Sequence, residues 1–315
     1  LKPAQIFVKI KSMKIALLAL LFSLVSAQKD YDIKNLVIFE DKFLIKFSDE
    51  IVNGDVYTNH TGILVKNGNI VRGVKDGKWT EWYDQGTKKL EFTFLGGFLV
   101  GPVKMWNEAG KLIVSGNYIK GNRTTIVQNI DPNSFPTNGR DGIWNFYYED
   151  GTIKLDEEWI DGILVSEKEY YKNSKNIKYE AYYGVKNPDP DKKVLLDYIG
   201  SIDFPVSSYA GLKTYYYKSG EIYSIQQWDW VQNKPYGKSS FFHETGEIWM
   251  KVQYNDKGKK HGYLEHYFLG KLYKRYFYNK DHIVHIETYN LKGEIDYKTD
   301  CMLKYCKEPT LATID

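Results

Sequence analysis

Acidic side chains are the residues of this sequence that could carry acid–base chemistry. Asp156, Glu157 and Glu158 form one cluster, and Asp189 and Asp191 form another. Hydrolysis by general acid–base catalysis needs two carboxylates held at a defined separation, with different pKa values. The sequence shows no such placement, and charged side chains also protect the edges of β-sheets from unwanted pairing. We therefore expect both clusters to be solvated, and a hydrolase is the least supported of the functions weighed against each other below.

The motifs of common catalytic and cofactor sites are absent from the sequence. It contains no G-x-S-x-G, no H-E-x-x-H and no phosphate-binding glycine loop. Among the six histidines, His282 and His285 stand close together, but no neighbouring cysteine or carboxylate completes a metal-ligand set. The sequence therefore predicts a protein that is not an enzyme and that uses no metal and no cofactor.

Two cysteines near the C-terminus, Cys301 and Cys306, could react with each other. An oxidising compartment would favour a local disulfide, but the spacing alone does not establish the geometry that the bond needs. A disulfide and a pair of free thiols are therefore both compatible with the sequence. Two thiols are too few for a metal site.

Aromatic residues recur in register with glycine along most of the chain. Eight of them, here called the register rings, define the repeat: Trp82, Trp106, Tyr147, Tyr171, Tyr216, Phe242, Tyr267 and Tyr289. A glycine stands four residues after six of these rings, whereas Lys175 takes that place in one unit and Gly270 arrives one residue early in another. Self-similarity with a period of roughly 20–50 residues is typical of arrays of supersecondary units.

Each unit has the pattern of a β-hairpin. Short stretches rich in aromatic residues, such as residues 144–148, end at turn signals such as Asp150-Gly151. Glycine permits the positive φ of a tight turn, and a return strand then begins. If that strand is regular, Ile153, Leu155 and Trp159 share one face. The sequence therefore predicts an all-β fold, an elongated antiparallel β-meander of repeated hairpins.

The aromatic residues divide into expected core and expected contact residues. Most register rings should pack in the core, because a one-sheet meander has little else with which to cover itself. Aromatic residues outside that register are the better candidates for contact with a partner: Trp79, Tyr83, Trp144, Tyr148, Tyr215 and Trp230. Tryptophan and tyrosine are also enriched among the residues that dominate binding energy at interfaces.

The repeats resemble the MORN-repeat variant found in many bacterial proteins. Residues 76–89, DGKWTEWYDQGTKK, read almost as that family's consensus, and residues 142–151, GIWNFYYEDG, keep the frame. Residues 46–54 are similar to the segment that opens such proteins, and the resemblance covers roughly residues 40–298. Proteins of this type are often catalogued as antitoxin-like, and MORN repeats elsewhere serve as scaffolds and as membrane-proximal or lipid-binding platforms. The resemblance therefore implies a hairpin-repeat fold.

The chain begins with the pattern of a targeting segment. Lys9, Lys11 and Lys14 precede an apolar run at residues 15–25, which is shorter than the about 20 residues of a membrane span. The prediction for the whole chain is upstream residues plus a signal peptide at 1–27 (with the start at Met13), a lead-in at 28–61, a repeat array at 62–298 and a tail at 299–315. Proline-containing insertions near 122–140 and 187–210 interrupt the array, and such insertions often lie on one functional face.

The charge distribution and the N-terminal targeting segment together restrict the classes of function that we expect. The 43 basic and 40 acidic residues are interspersed, which argues against a dedicated nucleic-acid binder. We expect an exported protein, periplasmic or extracellular, that has no transmembrane span once mature and acts as a protein-interaction scaffold. The alternative is a module that binds glycan or the cell-envelope surface, because exposed Trp and Tyr can stack on sugar rings. A cytoplasmic antitoxin fits poorly with the export signal.

Overall fold

The computed structural model describes residues 29–119, 135–183, 210–230, 232–301 and 306. The predicted signal peptide lies outside the described residues, and so do most of the two predicted insertions (residues 120–134 and 184–209).

The described residues fold mainly into β-strands. The first nine are β1 (Lys29–Asp32), β2 (Leu36–Phe39), β3 (Lys42–Ile45), β4 (Gly54–His60), β5 (Ile63–Val71), β6 (Val74–Trp82), β7 (Lys88–Leu95), β8 (Phe98–Trp106) and β9 (Leu112–Tyr118). The next six are β10 (Gly142–Tyr147), β11 (Ile153–Ile160), β12 (Ile163–Tyr170), β13 (Ile177–Tyr182), β14 (Ala210–Tyr216) and β15 (Ile222–Asp229). The last six are β16 (Lys234–Phe242), β17 (Ile248–Tyr254), β18 (Lys260–Phe268), β19 (Lys271–Asn279), β20 (His282–Tyr289) and β21 (Ile295–Asp300). A single 3-10 turn, Ile33–Asn35, lies between β1 and β2.

Nineteen of the described strands form one hydrogen-bonded sheet, and β2 and β3 form a separate two-stranded ribbon. β1 pairs in parallel with β4. From β4 onward each strand lies beside the next strand of the chain, in antiparallel pairs such as β10–β11 and β14–β15. The predicted all-β fold and antiparallel meander are confirmed. The meander already begins at β4, inside the segment that the sequence predicts as a lead-in.

The register rings mark β-bulges near the ends of the hairpin strands. The pairing register shifts immediately before Trp82, Tyr147, Tyr216, Phe242, Tyr267 and Tyr289. The turn that follows uses the predicted glycine: Gly151 has φ 91°, and its N–H donates to the carbonyl of Tyr148 at 2.9 Å. In the unit that has Lys175 in place of this glycine, Asn173 takes the left-handed conformation instead, with φ 58°. Asparagine tolerates that region better than most side chains.

Two compact units divide the chain. Unit 1 comprises the residues up to Leu112 together with Asn117–Gly139, and unit 2 comprises Ile113–Gly116 together with the residues from Arg140 onward. In unit 1 the largest buried side chains are Trp79, Tyr118, Phe92, Phe94, Ile70, Leu90 and Leu99. In unit 2 one buried cluster consists of Met250, Val252, Leu264, Tyr276 and Tyr278, and a second consists of Leu212, Ile225 and Phe242.

The core differs from the one that the sequence predicts. Phe242 is buried, but the other register rings are only half-buried. At these bulges the extra residue lies on the return strand, for example Lys89 opposite Trp82, so the strand of the ring itself alternates regularly. Trp82 and Tyr147 each stand three residues after a buried tryptophan and therefore lie on the opposite face of the strand. The common face of Ile153, Leu155 and Trp159 was expected only for a regular strand, and that condition is not met, because Lys154 is an extra residue of β11 between Ile153 and Leu155.

Candidate functional site

Trp79 and Trp144 are packing residues and not contact residues. Their exposed fractions are 1% and 0%, so neither ring can reach a partner. Each ring lies directly over a glycine of the neighbouring strand, Gly68 beneath Trp79 and Gly116 beneath Trp144, where a methyl group would clash with the indole. The prediction that these two tryptophans contact a partner is therefore wrong.

A buried cation covers each of these tryptophans, and a carboxylate pairs with that cation. Lys75 Nζ lies 4.3 Å from the centroid of Trp79, and Arg140 Cζ lies 4.2 Å from that of Trp144. The Lys75 ammonium is 3.9 Å from Glu81, and the Arg140 guanidinium is 2.8 Å from Glu157. Burial raises the pKa of both Glu81 and Glu157. We call this group of glycine, tryptophan, cation and carboxylate a closed arrangement, because its ring is buried and its cation is paired within the protein. One closed arrangement occurs in each unit.

Tyr83 and Tyr148 connect neighbouring repeats through their hydroxyls. Tyr83 donates to the carbonyl of Trp106 at 2.9 Å, and Tyr148 donates to that of Tyr170 at 2.9 Å. Two further tyrosines make the same bond, Tyr171 to the carbonyl of Tyr216 and Tyr217 to that of Phe242, both at 2.8 Å. This recurrence gives Tyr83 and Tyr148 a structural role. Tyr83 also lines a polar cleft of about 370 Å³ together with Glu81, Lys89 and Glu108.

We expect Tyr148→Phe to lower the free energy of unfolding by about 1 kcal/mol, because it removes one hydrogen bond between repeats and little packing. Chemical denaturation followed by circular dichroism measures the change. Tyr297→Phe is the control, since the Tyr297 ring is 60% exposed on the last strand and its hydroxyl should contribute little. Equal stabilities of Tyr148→Phe and the wild type would show that the bond between repeats is not needed.

The two remaining contact candidates, Tyr215 and Trp230, lie together in unit 2. They surround the ammonium of Lys213, whose Nζ is 5.2 Å from the centroid of Tyr215 and 5.7 Å from that of Trp230. Tyr179 and Trp228 complete the group, each at 5.1 Å from the same nitrogen. We call these four rings and Lys213 the aromatic site. All of its members are half-buried, so the site is open to solvent in part.

Hydrogen bonds fix the rings of the aromatic site. Trp230 Nε1 donates to the carbonyl of Tyr182 at 3.1 Å, and the Trp230 ring packs against Tyr183 with a centroid separation of 4.2 Å and an interplanar angle of 43°. The hydroxyl of Tyr179 donates to Glu167 at 2.7 Å. Burial, followed by this hydrogen bond, raises the pKa of Tyr179, so the phenol keeps its proton at physiological pH. The site therefore has an ordered aromatic wall and one acidic edge.

A second candidate surface lies at the tips of two neighbouring hairpins in unit 2. The turn between β18 and β19 exposes Phe268 by 63% and Leu269 by 74%, and the turn between β20 and β21 exposes Leu291 by 80% and Ile295 by 55%. Lys271 Nζ donates to the carbonyl of Leu291 at 3.1 Å, which links the two turns. We call these four side chains the apolar tips.

Leu269 is unusual in conformation as well as in exposure. It has φ 48° in a two-residue turn with Gly270, a conformation that is unfavourable for a branched side chain and is normally filled by Gly, Asn or Asp. Leu269 and Leu291 each stand two residues after a register ring. The six earlier units have a polar residue at that position: Asp84, Glu108, Glu149, Asn173, Lys218 and Glu244. Among the eight units, this repeat position is apolar only in the last two.

The structure also shows the state of the two cysteines and the grouping of potential metal ligands. Cys301 and Cys306 form a disulfide with their Cα atoms 5.6 Å apart, which decides between the two alternatives that the sequence allows. Within the described residues, no group of three or more His, Cys, Asp and Glu side chains could hold a metal ion. In the same residues no helix has the length and apolar character needed to span a membrane.

Lys213 and the apolar tips are features that sequence reasoning missed, although the repeat contains a signal for each. Lys213 stands three residues before the register ring Tyr216, the position that Trp79 and Trp144 occupy relative to their own rings. Leu269 and Leu291 replace polar residues at a fixed repeat position. A comparison of units position by position, and not only ring by ring, would have found both.

Comparisons with known proteins add little to this geometry. No protein-family model matches the chain, and no curated protein matches it. Among solved structures it is similar to the crystal structure of TcdB2-TccC3, with 11% sequence identity and a TM-score of 0.13, over 82% of this chain and 15% of that one. The chain therefore spans a small part of that protein's length, and at this TM-score the likeness supports no conclusion about function.

Proposed function

We propose that this chain is an exported, non-enzymatic protein of MORN-variant type that acts as a protein-interaction scaffold. The apolar tips are the observation that carries the proposal. Four large apolar side chains stand exposed at two adjacent turns, and two of them, Leu269 and Leu291, take a repeat position that is polar in the six earlier units. Clustered exposed apolar groups on a folded protein typically mark a binding surface.

The cost of Leu269 strengthens this interpretation. A leucine in the left-handed region costs about 1–2 kcal/mol, and its exposure gains nothing in the free chain. Such local strain typically accompanies a functional role. We infer that the partner is a protein with an apolar groove that receives Leu269 and Leu291, and that its rim is acidic because Lys271 and Lys292 flank the tips.

Export is supported by two separate features. The N-terminal segment has the charge and apolar pattern of a signal peptide. The Cys301–Cys306 disulfide is of the kind that persists in oxidising compartments.

A variant that places residues of the chain's own earlier units at the tips tests the proposal. Leu269→Asn combined with Leu291→Glu copies Asn173 and Glu244 from the equivalent positions. We expect partner capture from envelope extract to fall about tenfold or more, as for loss of an interfacial hot spot. Thermal stability should not fall, because asparagine fits φ 48° better than leucine does. Quantitative pull-down and differential scanning calorimetry measure the two effects.

Leu64→Glu is the matched control, since Leu64 is 63% exposed beside a turn of unit 1 and its substitution should leave capture unchanged. Identical sets of captured proteins for the wild type and the double variant would contradict the proposal. Binding of the wild type to phosphatidylglycerol vesicles, abolished in the double variant, would identify the tips as a lipid-binding surface instead. Retention on a polysaccharide panel alone would favour the glycan-binding alternative.

A further inference from the structure

We propose that the aromatic site of unit 2 binds the carboxylate of an acidic sugar, such as a uronic acid residue of a polysaccharide, with Lys213 as its cation. This site is separate from the apolar tips, so the inference does not rest on them. It rests on a comparison of Lys213 with the two closed arrangements at Trp79 and Trp144.

The three arrangements contain the same kinds of residue. Trp79 lies over Gly68 and Trp144 lies over Gly116 of the neighbouring strand, whereas Gly211 is approached most closely by the carbonyl of Tyr182 and then by the Nε1 edge of Trp230. Each tryptophan has a cation over or beside its ring, and these cations are Lys75, Arg140 and Lys213. A glycine, a tryptophan and a cation thus meet three times within the described residues, but the cation lies farther from its ring in the third case (5.7 Å) than in the first two (4.3 and 4.2 Å).

The third arrangement differs in its charge balance. Lys75 has Glu81 as a partner and Arg140 has Glu157, and both tryptophans there are fully buried. Lys213 has no carboxylate partner among the residues that the structure describes, and Trp230 is only half-buried. A partly desolvated ammonium without a counterion attracts an anion more strongly than a solvated one does. The role that Glu81 plays for Lys75 and Glu157 for Arg140 is therefore available to a ligand carboxylate at Lys213.

The backbone around Lys213 restricts the kind of ligand. β14 pairs with β13 on one side and with β15 on the other, so its N–H and carbonyl groups are already used in the sheet. A peptide cannot add here as a further strand, and recognition must come from side chains alone. Those side chains are the faces of four aromatic rings, one ammonium and the Glu167 carboxylate beside Tyr179. A pyranose ring that carries a carboxylate offers an apolar C–H face for the rings, hydroxyls for Glu167 and an anion for Lys213.

A substitution at Gln226 would place a carboxylate of the protein itself beside Lys213. It is the cross-strand partner of Lys213 on β15 and is half-buried. Gln226→Glu keeps the shape of the side chain and supplies the carboxylate that the other two copies contain. The new ion pair should compete with a ligand while keeping or raising the stability of the fold.

The experiment is isothermal titration calorimetry of the mature chain with tetragalacturonate. We expect the wild type to bind, and both Lys213→Gln and Gln226→Glu to weaken binding about tenfold or more, since each removes a charge-assisted contact. Lys251→Gln is the matched control, because Lys251 lies 5.4 Å from the single ring of Tyr267 and should not take part. Thermal melts of all variants verify folding, and Gln226→Glu in particular should melt no lower than the wild type.

Three results would overturn the inference. The first is no binding of tetragalacturonate to the folded wild type. The second is equal binding of its neutral methyl ester, which would show that the carboxylate is not recognised. The third is equal or tighter binding of tetraglutamate, which would make the ligand an acidic peptide.

Discussion

Trp144→Ala is expected to lower the free energy of unfolding by about 3–5 kcal/mol, as is typical of truncating a buried tryptophan. The Trp144 side chain is fully buried, and the glycine beneath it cannot fill the cavity that alanine would leave. Arg140 would also lose the ring that its guanidinium stacks on at 4.2 Å. Denaturation in urea, followed by circular dichroism, measures the loss.

Ile143→Ala is the control for this prediction. Ile143 precedes Trp144 on β10 and is 54% exposed, so its truncation should change stability by less than about 0.5 kcal/mol. Trp144→Phe should give an intermediate loss, because it keeps part of the ring. A loss below about 1 kcal/mol for Trp144→Ala would contradict its burial and return Trp144 to the contact residues.

Lys75 should give the second large effect, and this effect depends on pH. Its side chain is buried among Trp79, Phe94 and Phe43, and burial lowers its pKa from 10.5 to about 8. That difference corresponds to about 3 kcal/mol of cost for keeping the ammonium charged in the fold. We expect Lys75→Met combined with Glu81→Gln to be more stable than the wild type at neutral pH, because the double variant leaves no buried charge unpaired.

The sign of the pH dependence follows from proton binding. Below about pH 8 the folded and unfolded chains both carry the Lys75 proton, and the full cost of burial is present. Between about 8 and 10.5 the unfolded chain keeps a proton that the folded chain has lost, so the contribution of Lys75 to stability becomes more favourable as the pH rises. The stability advantage of the double variant should therefore shrink as the pH rises from about 8 to about 10.5.

Denaturation curves of both proteins across this window measure the difference. Tyrosines such as Tyr179 and Tyr183 have a pKa raised by burial, so they oppose the trend only at higher pH and cancel between the two proteins. Lys78→Met is the control, because the Lys78 side chain is 61% exposed. A stability difference that stays constant with pH would show that Lys75 does not lose its proton in the fold.

The hairpins are the part of the fold that the sequence predicts best. A glycine four residues after Tyr147 indicates a turn because only a few residue types adopt positive φ without strain, and Gly151 does so in the structure. This is a local property, and a single sequence contains it. The same reasoning extends to the antiparallel order of the strands, since short turns join strands that lie side by side.

The burial of individual aromatic residues could not be predicted in the same way. Trp144 and Tyr147 stand three residues apart on β10, so regular alternation places them on opposite faces, and the repeat alone does not say which face is buried. Trp144 packs inward over Gly116, although Tyr147 and not Trp144 belongs to the conspicuous repeat. The buried face depends on the neighbouring strand, where a glycine leaves room for the ring.

The rule that selected the candidate contact residues also groups residues that have different surroundings in the structure. Tyr215 and Trp230 were predicted as contacts from their position outside the register, and the structure brings them together around Lys213. Tyr83 and Tyr148 were predicted by the same rule, but their hydroxyls donate to backbone carbonyls of the next repeat. The hydrogen-bond partner of each hydroxyl lies in another repeat unit. A rule based on the position of a residue within its own repeat gives no information about that partner.

The sequence by itself determined the all-β class, the positions of the turns and the repeat, because these depend on the φ preferences and periodicity of neighbouring residues. Only the tertiary structure decided which rings are core, which cations have a carboxylate and which do not, and that Cys301 and Cys306 are bonded. These properties depend on contacts between strands, whose register is set by bulges and by glycines that admit a ring. Lys213 takes the repeat position of Trp79 and Trp144 in the sequence, and only the packing around it distinguishes its open site from the closed ones.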